Sequence, residues 1–131
     1  MILGFKPQFV KKIQNHTKIH SIRLDKHNRW VEDRRIQMAI GVRTKNYKVF
    51  YVAMCISTQK IVIKHGKGFP KQTGVWIDDK LIFSIDGIIH NGTEMMTQIA
   101  KNDGFKNYHE FFKWFSEDFE GKIIHWTDLK Y

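Results

Sequence analysis

The chain has 131 residues, which is enough for one domain with a single hydrophobic core. Hydrophobic residues make up 42% of it, which argues against disorder, and 22 Lys and Arg against 13 Asp and Glu give a formal net charge of +9. This excess of cations favours polyanionic partners such as RNA, DNA, nucleotides or an anionic membrane surface, and it does not specify a fold.

Cysteine content and hydropathy indicate the cellular compartment in which the protein is expected. Cys55 is the one cysteine, so the chain forms no internal disulfide, and its apolar neighbours predict a buried side chain. The apolar run at the start is too short for a secretion signal, and no window approaches the roughly 20 apolar residues of a membrane span. We therefore expect a cytoplasmic protein with no membrane partner.

The first half of the chain is predicted to be mostly strand. A short apolar strand precedes a helix opened by Pro7, where the missing N–H of proline costs nothing, and Asn15 and His16 end that helix. Residues 25–34 are polar and predict a loop anchored by Trp30. The predicted strands are rich in apolar or β-branched residues and cover residues 2–5, 18–24, 35–42 and 48–63, the last as one long or bent strand or a tight pair.

The middle of the chain carries turn signals. Residues 66–74 hold three of the nine glycines and two lysines, which indicates a flexible basic loop that could close over a site as a lid. Residues 75–77 and 81–85 flank Asp78, Asp79 and Lys80 and are predicted to form a hairpin.

Two amphipathic helices and a closing strand over residues 122–127 are predicted next. Thr93 is placed to cap the first helix, and Gly104 is placed to end it in a left-handed conformation. Asn107 begins the second helix, and Glu110 completes a capping-box pattern. The predicted inner faces are Met95, Met96, Ile99 and Ala100 in the first helix and Tyr108, Phe111, Phe112, Phe115 and Phe119 in the second.

This order of elements favours an α+β fold. Short strands with a few helices fit a small β-barrel with helices packed on its outside, and they do not fit alternating βαβ units. We expect one domain over residues 1–131.

Two short motifs resemble the ASCH-domain family, a small β-barrel group in the PUA-like superfamily. The family signature G-x-K-x-x-E-x-R is similar to "HTKIHSIR", where Lys18 and Arg23 match, His16 replaces the Gly and Ser21 replaces the Glu. A second family element, A-x-x-(acid)-G-F, is similar to "AKNDGF", which contains Asp103. The apolar stretch "GKIIHWT" resembles the closing strand of the family. The resemblance implies a PUA-like barrel that spans nearly the whole chain.

One branch of this family, bacterial amidohydrolases that cleave N(4)-acetylcytidine, carries K-x-x-T-x-R at the same place. Its implied machinery is a Thr nucleophile, the Lys as its base, and an acid in the second element. By position these roles fall on Ser21, Lys18 and Asp103. Ser in place of Thr retains the hydroxyl group, and Asp in place of Glu retains the carboxylate.

The residue types suit amide hydrolysis. A Ser hydroxyl needs a base, and a Lys can serve if burial or a neighbouring cation such as Arg23 lowers its pKa. In a regular strand Ser21 and Arg23 share a face and Lys18 points the other way, unless Lys18 lies at the start of the strand or beside a bulge. The alternatives are that Lys18 and Arg23 bind an anion without catalysis, or that the strand is structural.

Cations and aromatic residues extend the predicted ligand-binding set. Lys and Arg residues crowd the first half of the chain, which is typical of a nucleic-acid binder. We assign ligand binding to Lys18, Arg23, Lys6, Arg43 and Tyr47. Rings in or beside loops are expected either to stack on bases or to pack in the core: Trp30, Tyr47, Phe69 and Trp76.

Metal and cofactor motifs are missing from the sequence. Seven histidines occur, but there is no H-E-x-x-H and no Cys/His cluster, and "GKGFPKQTG" lacks Walker spacing. We expect no metal and no cofactor. Three hypotheses follow: an ASCH-like domain that binds RNA or a nucleoside or nucleotide, an amidohydrolase of N(4)-acylated cytidines, and a non-catalytic protein-interaction domain. The sequence does not decide the oligomeric state.

Overall fold

A computed structural model describes residues 1–66 and 72–131. The helices in these residues are short: a 3-10 turn over Pro7–Phe9 leads into α1 (Val10–Gln14), and α2 (Thr93–Asn102) is followed by α3 (Tyr108–Trp114). The strands are β1 (Ile2–Gly4), β2 (His20–Arg23), β3 (Arg35–Ile40), β4 (Lys48–Met54), β5 (Ser57–His65), β6 (Gln72–Ile77), β7 (Lys80–Asp86), β8 (Ile89–Asn91) and β9 (Phe119–His125).

The strands form two sheets. One has the order β1-β3-β4 and the other has the order β2-β9-β5-β6-β7-β8. Strands β1 and β3 run parallel, and the other paired strands run antiparallel. The α+β class is therefore confirmed, as mostly antiparallel sheet with a few short helices. Within the described residues the sheets do not close into one barrel, so the PUA-like barrel stays a prediction.

Two hydrophobic clusters form the core. The larger joins the six-stranded sheet to α2 and α3 through side chains such as Ile61, Phe83 and Phe111. The smaller joins the three-stranded sheet to the N-terminal helical turns through Phe9 and Ile13. It also contains Cys55, buried as the sequence predicts, and Trp30, which packs in the core and does not take the alternative role of stacking on a base.

The run over residues 48–63 is a pair of strands that do not pair with each other. It breaks at Cys55 and Ile56, and its halves, β4 and β5, enter different sheets. Because Cys55 N–H donates to Arg34 O and Ile56 N–H to His125 O, this break is held by backbone bonds to both sheets. Strand propensity marks the residues as extended and carries no information about which sheet receives them.

Several predicted boundaries are wrong. Phe119 belongs to β9, where it pairs with Ile63, and α3 ends at Trp114 although the spacing of the phenylalanines continues the helical pattern. Residues 72–74 are part of β6, and β8 was not predicted. Gly92, with φ of +77°, takes the N-cap position expected for Thr93. The Asn107 cap is present, because its Oδ1 accepts a hydrogen bond from Glu110 N–H at 2.9 Å.

Two further features bear on the class of protein. Among the helices described, none is long and apolar enough to cross a membrane. The described residues also contain no group of three or more His, Cys, Asp or Glu side chains placed to hold a metal ion. The predicted lid over residues 66–74 lies mostly outside the described residues, because residues 67–71 are not among them.

Candidate ligand-binding cleft

A cleft of about 400 Å³ opens where the start of the chain, β2 and the α2–α3 connection meet. We call it the Lys18 cleft. Five of the residues singled out in the sequence line it: Lys6, Lys18, Ser21, Arg23 and Asp103. The remaining walls are mostly apolar and aromatic: Gly4, Phe5, Phe9, Ile22, Val42, Phe105, Trp114 and Phe115. The two sequence motifs, some eighty positions apart, therefore meet at one hollow.

Lys18 reaches the cleft because it lies before β2, which begins at His20. Its backbone N–H donates to Lys12 O at 2.9 Å, and the next N–H, of Ile19, donates to Asn102 O at 2.8 Å. These bonds tie the segment to α1 and to the end of α2. Because Lys18 lies outside the strand, the alternation of side-chain directions along β2 does not apply to it. Its side chain points to the same hollow as Ser21 and Arg23.

Lys18 and Asp103 form a buried ion pair. Lys18 Nζ lies 3.1 Å from Asp103 Oδ1, it also donates to the backbone oxygen of Asp103, and each side chain is 3–4% exposed. Burial lowers the pKa of the Lys18 ammonium, and the neighbouring Asp103 carboxylate partly offsets that decrease. Among the described residues Lys18 Nζ has these two acceptors, so one N–H is left for a ligand.

Gly104 lets Lys18 pass close to the backbone. Its φ of +95° is the left-handed value predicted for the end of α2. A Cβ at this position would lie 2.9 Å from a ring carbon of Phe9 and 3.0 Å from Lys18 Cδ. The Gly104 carbonyl in turn accepts a hydrogen bond from Lys12 Nζ at 2.7 Å. The glycine therefore fixes the direction of the chain after Asp103 and makes room for Lys18.

Ser21 and Arg23 form the second polar pair of the cleft. Arg23 Nε donates to Ser21 Oγ at 2.9 Å, and Nη2 donates to Gly4 O at 2.6 Å. The guanidinium lies 4.8 Å from the centre of the Phe5 ring. In the described structure no hydrogen bond joins Lys18 to Ser21, so the four groups act as two pairs facing one hollow: Lys18 with Asp103, and Ser21 with Arg23.

The aromatic walls are features that the motif reasoning missed. Trp114 is 45% exposed at the rim of the cleft, and Lys6 Nζ lies 4.9 Å from the centre of its ring. Phe105, the last residue of the second motif, packs edge-on against Phe9 at 5.9 Å between ring centres. Helical spacing predicts that the second helix buries one aromatic face. Trp114 lies off that face, and this position is the sequence signal that could have identified it as an exposed ring.

Two residues of the predicted ligand-binding set lie outside the cleft. Arg43 and Tyr47 are exposed in the connection between β3 and β4, and neither lines the hollow, although Val42 does. Of the other rings proposed to stack on bases, Trp30 is buried, Trp76 packs over Gly74, and Phe69 lies outside the described residues. An exposed ring that lines the cleft beside a cation is instead Trp114, next to Lys6.

Comparisons of the chain with family models, with curated proteins and with solved structures found no match. A function must therefore be inferred from the chemistry of the cleft.

Proposed function

We propose that this protein is an ASCH-like domain, with the PUA-like barrel of that family, which binds one nucleoside or nucleotide unit in the Lys18 cleft. The observation that carries the proposal is the combination of cations and aromatic rings around one hollow of about 400 Å³. Arg23 and Lys18 offer donors for phosphate or other oxyanions, and the Trp114 ring offers a face on which a base can stack.

Details of both motifs support the resemblance. His16, which stands where the family signature has Gly, has φ of +66°, a backbone value that glycine adopts without strain. Asp103 and Lys18, aligned from two separate motifs, are in direct contact. Gly104 and Phe105 of the second motif both have roles beside the cleft, one as a left-handed turn and one as a wall.

A titration calorimetry experiment tests this proposal. We expect cytidine 5′-monophosphate to bind the wild-type chain, and we expect Arg23→Gln to weaken binding about 10- to 100-fold, because a hydrogen bond to a charged group contributes about 1.5–3 kcal/mol. Arg34→Gln is the matched control, since Arg34 is exposed and does not line the cleft. Equal affinities for the two variants would contradict the assignment of the cleft.

The same nucleotide unit can come free or within an RNA strand. A short single-stranded RNA is therefore titrated beside the mononucleotide at several salt concentrations. If RNA is the ligand, the logarithm of its affinity should fall with the logarithm of salt with a slope of about −0.7 per neutralised phosphate. A flat salt response would leave the free nucleoside or nucleotide as the ligand.

A second candidate function is hydrolysis of N(4)-acylated cytidines. The observation that favours it is that Ser21, Lys18 and Asp103 line one cleft. Burial lowers the pKa of Lys18, which favours the neutral amine that a general base requires. In this reaction Ser21 Oγ bonds to the acyl carbon and gives its proton to the neutral amine of Lys18. The C–N4 bond then breaks, and the N4 amine leaves with that proton. Water cleaves the resulting ester, releasing the carboxylic acid and restoring Ser21.

A further inference from the structure

A chain of buried polar groups runs behind the Lys18 cleft. His20 is fully buried, and its ring contacts two partners: Nδ1 lies 3.2 Å from Asp103 Oδ1, and Nε2 lies 2.6 Å from the Tyr131 hydroxyl. Asn102 Nδ2 donates to that same hydroxyl at 2.9 Å. We call the series Asn102–Tyr131–His20–Asp103 the His20 relay. Its far end, Asn102, is the chain neighbour of Asp103, so the relay closes on the end of α2.

The hydrogen bonds of the relay have one consistent direction. A neutral His20 ring, with one N–H and one lone pair, satisfies both contacts, and burial favours that neutral form because it lowers the pKa of His20. Asp103 Oδ1, which also faces the Lys18 ammonium, can only accept, so His20 Nδ1 carries the proton. His20 Nε2 then accepts from the Tyr131 hydroxyl, whose oxygen accepts from Asn102. Asn102, the Tyr131 hydroxyl and the His20 ring therefore each donate one hydrogen bond to the next group of the series, and Asp103 accepts the last of them.

Tyr131 is held in place by contacts of its backbone. Gln59 donates from Nε2 to Tyr131 O at 2.8 Å and accepts at Oε1 from Tyr131 N–H at 2.9 Å. The remaining donor of Gln59 goes to Asp78 Oδ2 at 2.9 Å, and His125 Nε2 lies 2.9 Å from Oε1. The Gln59 side chain is fixed, because its backbone belongs to β5 and both ends of its amide are hydrogen-bonded. It therefore holds the Tyr131 backbone in place, so that the Tyr131 hydroxyl stays beside His20.

The relay leaves one oxygen of Asp103 for the cleft. Oδ1 receives both Lys18 and His20, whereas Oδ2 has no hydrogen-bond partner among the described residues, and Asp103 lines the hollow. A carboxylate held by one oxygen at two points cannot rotate without breaking both contacts. The groups that face His20 are Asp103 and Lys18 on one side, and Tyr131 and His125 on the other, with His125 at 5.3 Å between ring centres.

We propose that His20 and Tyr131 are positioning residues, which fix the Asp103 carboxylate so that Oδ1 holds Lys18 and Oδ2 faces a bound ligand. The proposal rests on the function proposed above for the Lys18 cleft. Neither residue touches the ligand. They act through Asp103, in the way that outer hydrogen-bond partners orient metal-binding or catalytic groups elsewhere.

The test compares Tyr131→Phe with Tyr108→Phe. Tyr108 is the matched control, because its hydroxyl also lies near a histidine nitrogen, His90 Nδ1 at 3.2 Å, but at an exposed site away from the cleft. Nitrogen-15 NMR of the histidine rings reports the tautomer directly. We expect His20 to carry its proton on Nδ1 in the wild type and in Tyr108→Phe. In Tyr131→Phe the Asp103 carboxylate still holds the proton on Nδ1, but Nε2 loses its hydrogen-bond donor, and we expect the nitrogen-15 shift of Nε2 to change.

The binding readout separates this proposal from the proposed function. We expect Tyr131→Phe to weaken the binding of cytidine 5′-monophosphate about fivefold, because one neutral hydrogen bond contributes about 1 kcal/mol. We expect Tyr108→Phe to bind the nucleotide as tightly as the wild type. If the nucleotide does not bind even the wild type, the proposed function is wrong, while the His20 nitrogen shifts still decide whether the relay exists. A His20 proton on Nε2 in the wild type, or an unchanged Nε2 shift in folded Tyr131→Phe, would overturn the relay. A changed Nε2 shift with unchanged nucleotide affinity would overturn its positioning role.

Discussion

Replacing Asp103 by Asn should lower the free energy of unfolding at pH 7 by about 3–5 kcal/mol, the usual result of removing one partner from a buried ion pair. The substitution keeps the size of the side chain and an acceptor for His20, but it removes the charge that compensates Lys18. The Lys18 ammonium, 3% exposed, then remains without a counterion in a poorly solvated site. Urea denaturation of both chains measures the difference.

Two controls isolate the buried charge. Asp79→Asn breaks an exposed contact to Lys60 of nearly the same length, 3.0 Å, and it should change stability by less than about 1 kcal/mol. The double variant Lys18→Met with Asp103→Asn removes both charges and should recover most of the loss. An Asp103→Asn variant that is no less stable than Asp79→Asn would contradict the buried pair.

The pH dependence of the Asp103→Asn deficit has a definite sign. The pKa of Lys18 is lowered by burial in the folded chain, and removing Asp103 takes away the main influence that raises it. The unfolded chain therefore holds more protons than the folded chain between that lowered pKa and the ordinary value of 10.5. In that window stability rises with pH, so the deficit of Asp103→Asn should shrink as the pH approaches 10.5.

Replacing Ser21 by Ala should abolish turnover of N(4)-acetylcytidine, if the chain hydrolyses it, by a factor of at least about 10³. The loss follows because no other hydroxyl among the described residues lines the cleft to form the acyl ester. The variant should remain folded, since within residues 1–66 and 72–131 the Ser21 hydroxyl bonds only to the partly buried Arg23. Release of cytidine, followed by chromatography, gives the rate.

Ser21→Thr provides the matched control, because it keeps a hydroxyl at the same position and introduces the Thr that the amidohydrolase branch carries there. We expect it to retain turnover that Ser21→Ala lacks. Persisting hydrolysis in Ser21→Ala would eliminate Ser21 as the nucleophile. A wild-type chain that binds cytidine compounds without cleaving them would reject the hydrolase candidate and leave the binding function.

Local signals in the sequence predicted two helix-end features correctly, although the cap expected at Thr93 is instead at Gly92. The Asn107 cap and the left-handed Gly104 depend on residues within a few positions of each other, and both are present. The prediction that Phe119 belongs to the second helix was wrong, because its conformation depends on a distant residue. Its spacing from Phe115 continues a helical stripe, but it pairs with Ile63 on β5. Propensity and spacing carry no information about such a distant partner.

The cleft shows the same division. Two motifs placed Lys18 and Asp103 in one site, although a regular strand would have turned Lys18 away from Ser21. The start of β2 at His20, which resolves that conflict, depends on backbone bonds to α1 and α2 that no local pattern reveals. The His20–Tyr131 contact joins residues 111 positions apart and has no sequence signature.

The most direct test of the nucleotide-binding cleft is a map of backbone amide shifts when cytidine 5′-monophosphate is added to the nitrogen-15-labelled chain. The proposed function predicts that the largest shifts cluster around Lys6, Ser21, Arg23 and Phe105, with the indole N–H of Trp114 moving as well. The exposed connection at residues 44–47, which includes Tyr47 of the ligand-binding set predicted from the sequence, should stay unchanged. Shifts centred on that connection, or none at saturating nucleotide, would contradict the account.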